Sequence, residues 1–140
     1  MAKIDVGVLG ATGMVGQRFV SLLDGHPWFK VAVVAASPST AGKTYSEAVK
    51  DRWIIEKDVP KSTSKLVLKT VEDDMEEIAK EVSVVFSAFD LDKDAIKRIE
   101  EGYAKLGVAV ISNNSAHRWT DDVPMIMPEI NPDHVELIDA

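Results

Sequence analysis

Three glycines at three-residue spacing follow an apolar run near the N-terminus, in the stretch VGVLGATGMVGQ of residues 6 to 17. A glycine-rich turn between a strand and a helix leaves backbone N–H groups free at the positive end of the helix, where anions bind. Gly10 would allow a tight turn, Gly13 the close approach of a pyrophosphate, and Gly16 close contact between helix and strand. The motif is Gly-x-x-Gly-x-x-Gly rather than the commoner Gly-x-Gly-x-x-Gly. It predicts a dinucleotide site, and the alternative is an ordinary glycine-rich turn.

The loop after the next apolar run carries hydroxyl groups and a cation but no acid. Domains that bind the ribose 2'-hydroxyl of NAD usually have an Asp or Glu roughly 20 residues beyond the glycines. Here residues 31 to 46 contain neither. Hydroxyls and an ammonium group suit a 2'-phosphate, which an acid would repel. This loop therefore favours NADP over NAD, the alternative being a polar surface loop; its candidate residues are Ser37, Ser39, Thr40 and Lys43.

A third polar segment, SNNSAHRW at residues 112 to 119, follows another apolar run. In open α/β sheets, ligands bind at the carboxyl ends of the strands. Asn114 and Ser115 could donate or accept hydrogen bonds there, and Arg118 could hold a phosphate or carboxylate in a bidentate manner. A solvated surface arginine is the alternative interpretation of Arg118.

Composition excludes several classes of function. The formal net charge of -7 and a pI near 4.9 oppose general binding to nucleic acid or to anionic membranes. No apolar run approaches the roughly 18 residues of a membrane span, and no signal-like region precedes the first strand pattern, so we expect a cytoplasmic protein. The absence of cysteine excludes thiolate catalysis and disulfides within this chain. The three histidines lack metal-ligand spacing, so no metal site is predicted; they are His26, His117 and His134.

The elements that would position these residues alternate along the chain. Continuous β-branched runs predict buried strands, and apolar residues at helical spacing predict helices between them. The acidic run EDDMEE, residues 72 to 77, predicts a solvated helix face. Strands alternating with helices predict an α/β fold with a doubly wound, mostly parallel sheet of the Rossmann type. Strands are predicted at 4–9, 30–37, 66–68, 82–89 and 108–112; helices at 13–23, at 71–81, from Asp90 or Asp92 to Gly107 with Leu106 facing inward, and after Pro132; and irregular structure at 40–64.

Five stretches, in this order and at these separations, resemble the N-terminal part of the aspartate-semialdehyde dehydrogenase family, in its archaeal and fungal type. The resemblance implies an NADP-dependent enzyme that reductively dephosphorylates aspartyl-4-phosphate to the semialdehyde, on the way to lysine, methionine and threonine. The matching stretches are GATGMVGQRFVSLL, SPSTAGKTY, VFSAFD, SNNSAHRW and VPMIMPEINPDH.

The resemblance also implies roles for individual residues. Ser87 and Ala88 would lie near the nicotinamide, and Arg118 would bind the substrate phosphate. Family members often carry an arginine where this chain has Ser39. The implied cofactor-binding positions are Gly10, Thr12, Gly13, Met14, Val15 and Gly16 in the phosphate-binding turn, Ser37, Ser39, Thr40 and Lys43 in the 2'-phosphate loop, and Ser87, Ala88, Asn114 and Asn131 farther along the chain.

No residue here is expected to act as nucleophile or general base. The family uses a cysteine thiolate and a histidine, both implied to lie beyond residue 140. We therefore expect residues 1–140 to form one dinucleotide-binding domain without the C-terminal catalytic and dimerisation domain, unable to turn over alone and part of a homo-oligomer. Two alternatives remain: a domain similar to N-acetyl-glutamyl-phosphate reductase, and a stand-alone, non-catalytic cofactor-binding module.

Overall fold

The computed structural model describes residues 2–139, which form one parallel sheet with helices on both faces. In chain order the elements are β1 (Ile4–Leu9), α1 (Met14–Leu23), β2 (Phe29–Ala36), a 3-10 turn (Pro38–Thr40), α2 (Tyr45–Val49), α3 (Lys61–Ser64), β3 (Lys69–Thr70), α4 (Met75–Glu81), β4 (Val84–Ser87), α5 (Lys93–Lys105), β5 (Ala109–Ser112) and a second 3-10 segment (Pro132–Asp139).

The five strands lie in the order β3-β2-β1-β4-β5, and all strand pairs are parallel. The predicted doubly wound Rossmann-type fold is thus confirmed. The central strand β1 pairs with β2 on one side and with β4 on the other. Strand order therefore reverses at the carboxyl end of β1, which is where open α/β sheets bind ligands. The glycine turn of residues 10 to 16 begins at this point.

Alternating side chains of the strands build a separate apolar core on each sheet face. Val6 and Val8 of β1 pack with Val20 of α1 and with Tyr45 of α2 on one face. On the other face, Leu9 packs with the α4 and α5 side chains, including Ile78, Ile99 and Tyr103. Because both faces are covered, the part of β1 that leads into the glycine turn is buried on both sides.

The prediction of a strand at 66–68 is wrong by a few residues. Val67 instead forms an antiparallel bridge with Thr44, and the Leu68 N–H donates to the Lys43 carbonyl. These backbone groups bond with the segment before α2 rather than with the sheet. The parallel strand β3 starts only at Lys69, beside Ala35 of β2.

Two helix predictions also need correction. The helix predicted from residue 71 begins at Met75. The Val71 N–H still bonds with the sheet, since it donates to the Ala36 carbonyl. The Asp74 carboxylate accepts from the Thr70 N–H and so holds the turn before the helix. Leu106, predicted to face inward, follows the end of α5 and is 45% exposed. The interval 40–64, predicted to be irregular, contains the short helices α2 and α3.

Candidate dinucleotide-binding site

A cleft of about 370 Å³ lies at the carboxyl ends of the strands, above the reversal point of the sheet. The glycine turn forms its floor, the loop after β2 forms one wall, and the loops after β3 and β4 form the other. Its lining residues are Gly10, Thr12, Gly13, Ala36, Ser37, Pro38, Thr70, Val71, Glu72, Asp73, Ala88, Phe89, Asp90, Leu91 and Ile99.

The three glycines of the turn are needed for different reasons. Gly10 has a φ of 82°, and a Cβ there would lie 2.6 Å from the Ala88 carbonyl oxygen. A Cβ at Gly16 would lie 1.9 Å from the Gly10 oxygen, so α1 can approach the turn only without a side chain. A Cβ at Gly13 would meet only the Gly10 oxygen at 3.6 Å, an ordinary contact. The fold thus requires Gly10 and Gly16, whereas Gly13 leaves open space beside the cleft.

The N-terminus of α1 presents free hydrogen-bond donors next to Gly13. Gly13 is the N-cap residue and no side chain caps the helix, whose first turn contains no acid. The N–H groups of Met14 and Val15 donate to no backbone or side-chain acceptor within residues 2–139. Unpaired N–H groups and the positive end of the helix dipole attract a phosphate at this position.

Two buried side chains hold the glycine turn from behind. The Tyr45 hydroxyl donates to the Ala11 carbonyl at 2.7 Å, and burial raises the pKa of Tyr45, so this phenol keeps its proton. The Gln17 amide donates to the carbonyls of Thr12 and Arg52 and accepts from the N–H of Ile54. Sequence reasoning missed both residues. The only available signal was a polar Gln on the inward face of α1, at position 17 between Gly16 and Val20.

The predicted 2'-phosphate loop lies at the wall formed after β2. The Ser37 and Ser39 hydroxyl oxygens are exposed and 2.8 Å apart, and Ser37 lines the cleft. Thr40 is buried, and its hydroxyl donates to the Ser37 carbonyl, so it holds the loop in shape. The side chain of Lys43 is exposed and lies outside the set that lines the cleft.

The opposite wall carries acidic groups that sequence reasoning assigned to a solvated helix face. Glu72 and Asp73 are exposed, as that assignment expects, but they precede α4 and line the cleft, so they do not form part of a helix face. A hydrogen bond from Arg98 of α5 lowers the pKa of the Glu72 carboxyl group. The hydroxyl of Tyr103 donates to the Val71 carbonyl at 2.5 Å and so holds the backbone of this wall in place. Tyr45 holds the backbone of the glycine turn in the same way. Periodicity could not reveal that residues 35 positions beyond the Ser37 loop meet the same cleft.

A second depression adjoins the cleft and shares Phe89, Asp90 and Leu91 with it. Asn114 and Arg118 line this depression, and Arg118 is exposed. The segment after β5 and the segment after β4 thus meet here, as the sequence predicts for residues at the carboxyl ends of strands. Ala88 lines the main cleft, whereas Ser87 is fully buried below it.

Asn131 lies apart from both depressions. Its amide oxygen accepts from the Met127 N–H at 2.7 Å, and its amide nitrogen donates to the Met125 carbonyl at 2.9 Å. In this structure the Asn131 side chain shapes the turn before the C-terminal 3-10 segment. Its cofactor-binding role stays a prediction.

Residues 2–139 contain neither a candidate membrane span nor a candidate metal site. No helix in this range has the length and apolar character that crossing a bilayer requires. Within the same residues no three His, Asp or Glu side chains gather in a way that could hold a metal ion.

A parallel, doubly wound sheet with a glycine turn, an open helix N-terminus and a cleft at its reversal point defines a dinucleotide-binding domain. The chain belongs to the family described as "Semialdehyde dehydrogenase, NAD binding domain", whose family model matches residues 5–138.

Curated relatives cover nearly the whole chain, but the chain spans little more than a third of their length. It is 42% identical over 138 residues to the aspartate-semialdehyde dehydrogenase of Archaeoglobus fulgidus, covering 99% of this chain and 38% of the relative. It is also 40% identical over 136 residues to malonyl CoA reductase (NADP) of Metallosphaera sedula, covering 97% and 36%.

A solved structure agrees with both sequence and fold. The crystal structure of aspartate semialdehyde dehydrogenase with NADP from Candida albicans superimposes with a TM-score of 0.85 and 37% identity. The match covers 96% of this chain and 36% of that one.

Proposed function

We propose that this chain is the NADP-binding part of an aspartate-semialdehyde dehydrogenase, which reduces aspartyl-4-phosphate to the semialdehyde. The observation that carries the proposal is the match of nearly the entire chain, at 42% identity, to such an enzyme. The cleft fits a dinucleotide, since Gly13 leaves room where a pyrophosphate would approach and the α1 N-terminus offers free donors. Bound NADPH would supply the hydride of the reaction.

The chain's own residues would bind and orient this cofactor. The N–H groups of Met14 and Val15 would hold the pyrophosphate above Gly13. The Ser37 and Ser39 hydroxyls would donate hydrogen bonds to the 2'-phosphate, with the exposed Lys43 ammonium adding positive charge. Ala88 lines the cleft and Asn114 lines the adjoining depression, and the nicotinamide would sit between them.

The activity would belong to a longer protein of which residues 1–140 form the cofactor-binding domain. The relatives' additional length supports this division. The family's thiolate chemistry needs a cysteine, which this chain lacks, so we expect the chain alone to bind NADP without turning over. Arg118, exposed beside the cleft, would bind the substrate phosphate.

Cofactor binding is tested by thermal unfolding of the 140-residue chain. NADP at 100 times its dissociation constant would stabilise the chain by about 2.7 kcal/mol, which raises the melting temperature by several degrees. NAD at the same concentration should give a smaller shift, because it lacks the 2'-phosphate. Gly13→Asp places a carboxylate against the pyrophosphate and should abolish both shifts, whereas the equally large Gly13→Asn should retain part of them. No shift at millimolar NADP would refute the proposal.

The acyl substrate is tested separately, on the complete product of the gene. The 40% identity to malonyl CoA reductase makes malonyl-CoA the competing substrate, since a cofactor-binding domain carries few contacts to the acyl group. NADPH oxidation should be rapid with aspartyl-4-phosphate and slow with malonyl-CoA. The reverse preference would keep the cofactor proposal and replace the substrate.

We also propose that the protein is a cytoplasmic homo-oligomer. The exposed apolar side chains along β5 and the segment after it, among them Ile111, Trp119 and Met127, support association. The cysteine-free composition suits a reducing compartment. Cell fractionation tests the cytoplasmic location, and sedimentation velocity over a range of concentrations tests the association.

A further inference from the structure

A buried carboxylate is hydrogen-bonded to Asn114, which lines the depression that adjoins the cleft. Glu100 of α5 is only 4% exposed. The four charged residues that precede it in the same helix are all exposed; they are Lys93, Asp94, Lys97 and Arg98. Its Oε2 accepts from the Asn114 Nδ2 at 3.4 Å, and the same Nδ2 donates to the Ser87 Oγ at 3.1 Å. Burying a carboxylate is costly unless it is hydrogen-bonded, so this position needs an explanation.

The backbone around Asn114 is fixed independently of its amide group. The Asn114 N–H donates to the Ser112 hydroxyl at 2.9 Å, and the Asn113 N–H donates to the Ser87 carbonyl at 2.9 Å. The loop after β5 is therefore attached to the ends of both β4 and β5. These backbone bonds do not restrict the rotation of the Asn114 amide group about the last torsion of its side chain.

Glu100 is the partner that decides which way this amide points. The oxygen and nitrogen of an asparagine amide are nearly equal in shape, so packing alone does not choose between them. The Ser87 hydroxyl both donates and accepts and so satisfies either orientation. An ionised carboxylate only accepts, and it therefore requires the Asn114 nitrogen on its side. The Asn114 oxygen then faces away from α5, and Asn114 lines the depression that adjoins the cleft.

We propose that Glu100 is a positioning residue that orients the Asn114 amide, so that its Oδ1 accepts a hydrogen bond from the carboxamide N–H of a bound nicotinamide. The inference rests on the proposed function. The orientation of the Asn114 amide would make the site prefer a pyridine ring whose substituent donates a hydrogen bond over a ring whose substituent only accepts one.

The test compares three ligands on the 140-residue chain by calorimetry. They are NADP, its 3-acetylpyridine analogue, in which a methyl group replaces the carboxamide nitrogen, and 2'-phospho-ADP-ribose, which has no pyridine ring. One hydrogen bond corresponds to a preference of about fivefold for NADP over the analogue in the unmodified chain. Glu100→Leu should remove this preference, and Glu100→Gln, which offers an acceptor in one of its two orientations, should restore part of it.

Glu101→Leu is the matched control, since Glu101 is the neighbouring acid on α5 and makes no hydrogen bond to Asn114. It should keep the preference. Affinity for 2'-phospho-ADP-ribose should stay the same in all variants. If Glu100→Leu does not fold, Glu100→Gln carries the test: a preference reduced from that of the unmodified chain supports the role of Glu100, and an undiminished preference overturns it.

The outcomes separate the two proposals. If the unmodified chain binds neither NADP nor 2'-phospho-ADP-ribose, the proposed function fails. If both bind but the preference for the carboxamide is absent or survives Glu100→Leu, the inference about Glu100 is overturned. Equal weakening of all three ligands in Glu100→Leu would show a purely structural role and would overturn it as well.

Discussion

Two glycines of the phosphate-binding turn serve different purposes: Gly16 is needed for the stability of the fold, and Gly13 for the binding of the cofactor. Gly16→Ala would place a methyl group 1.9 Å from the Gly10 oxygen, so α1 or the turn must move, at a cost of about 3 kcal/mol or more. Gly13→Ala meets no such contact and should change the free energy of unfolding by less than about 0.5 kcal/mol. It should nevertheless weaken NADP binding by about tenfold, because the methyl group occupies the approach of the pyrophosphate.

Urea unfolding and calorimetry of these two variants provide the check. A Gly13→Ala chain that binds NADP as tightly as the unmodified chain would show that no ligand group approaches this position. A Gly16→Ala chain of unchanged stability would contradict the packing argument.

The two buried tyrosines predict a loss of stability in alkaline solution. Burial raises the pKa of Tyr45 and of Tyr103 above the ordinary value near 10. The unfolded chain therefore loses these protons first as the pH rises, and folding is stabilised fully below pH 10 and progressively less above it. Each tyrosine contributes a fall of up to about 1.4 kcal/mol per pH unit above pH 10.

Urea titrations at a series of pH values from neutral to alkaline measure this fall. Tyr45→Phe should lower stability at neutral pH by about 1–3 kcal/mol, since the Ala11 carbonyl loses its buried donor. The same variant should make the alkaline decline shallower. An unchanged slope would mean that Tyr45 ionises equally in the folded and unfolded chain.

Among the elements, α1 depends on a segment far along the chain. The Gln17 amide joins the glycine turn to the residues between α2 and α3 through Thr12, Arg52 and Ile54. Gln17→Leu keeps the size but leaves three backbone groups without this partner, and we expect a loss of about 2–4 kcal/mol. Arg18→Leu, at the exposed neighbouring position, is the control and should have little effect. Thermal unfolding that gave equal melting temperatures for the two variants would refute the role of Gln17.

The parts of the fold that could be predicted from the sequence are those determined by residue patterns within a single element. The strand β1, the helix α1 and the Asp92 cap of α5 follow from residue patterns within single elements, and the structure contains them. The segment 66–68 is apolar enough for a strand, but its backbone bonds with residues 42 to 45, a choice that no local pattern contains.

The candidate site shows the same limit. The glycine turn and the serine loop could be identified because their chemistry lies in short contiguous stretches. Tyr45, Gln17 and Glu100 could not, because each acts on a backbone or side-chain group that only folding brings near. The acidic wall at Glu72 was missed for the same reason.

At the scale of the whole molecule, the sheet of residues 2–139 ends at β5 in an exposed edge. Among the strands of residues 2–139, β5 pairs only with β4, and three of its four residues are exposed, including Ile111. Natural edge strands are usually protected by charged residues, proline or bulges. The stretch from Val108 to Ala116 contains no charged residue and no proline. A second copy of the chain could extend the sheet by pairing along this edge, which would also cover the apolar side chains beside it.

Sedimentation velocity over a range of concentrations tests this association. The unmodified chain should shift toward a dimer as its concentration rises, and Ile111→Lys should shift it back to monomer, because a charge would be buried in the pairing. Ile4→Lys is the matched control: Ile4 is similarly exposed but belongs to the central strand β1, so this variant should associate normally. Hydrogen exchange at the outer N–H groups of β5 should slow on dimerisation if the strands pair. A monomer at every concentration would exclude the edge as an interface, and a dimer unaffected by Ile111→Lys would place the interface elsewhere.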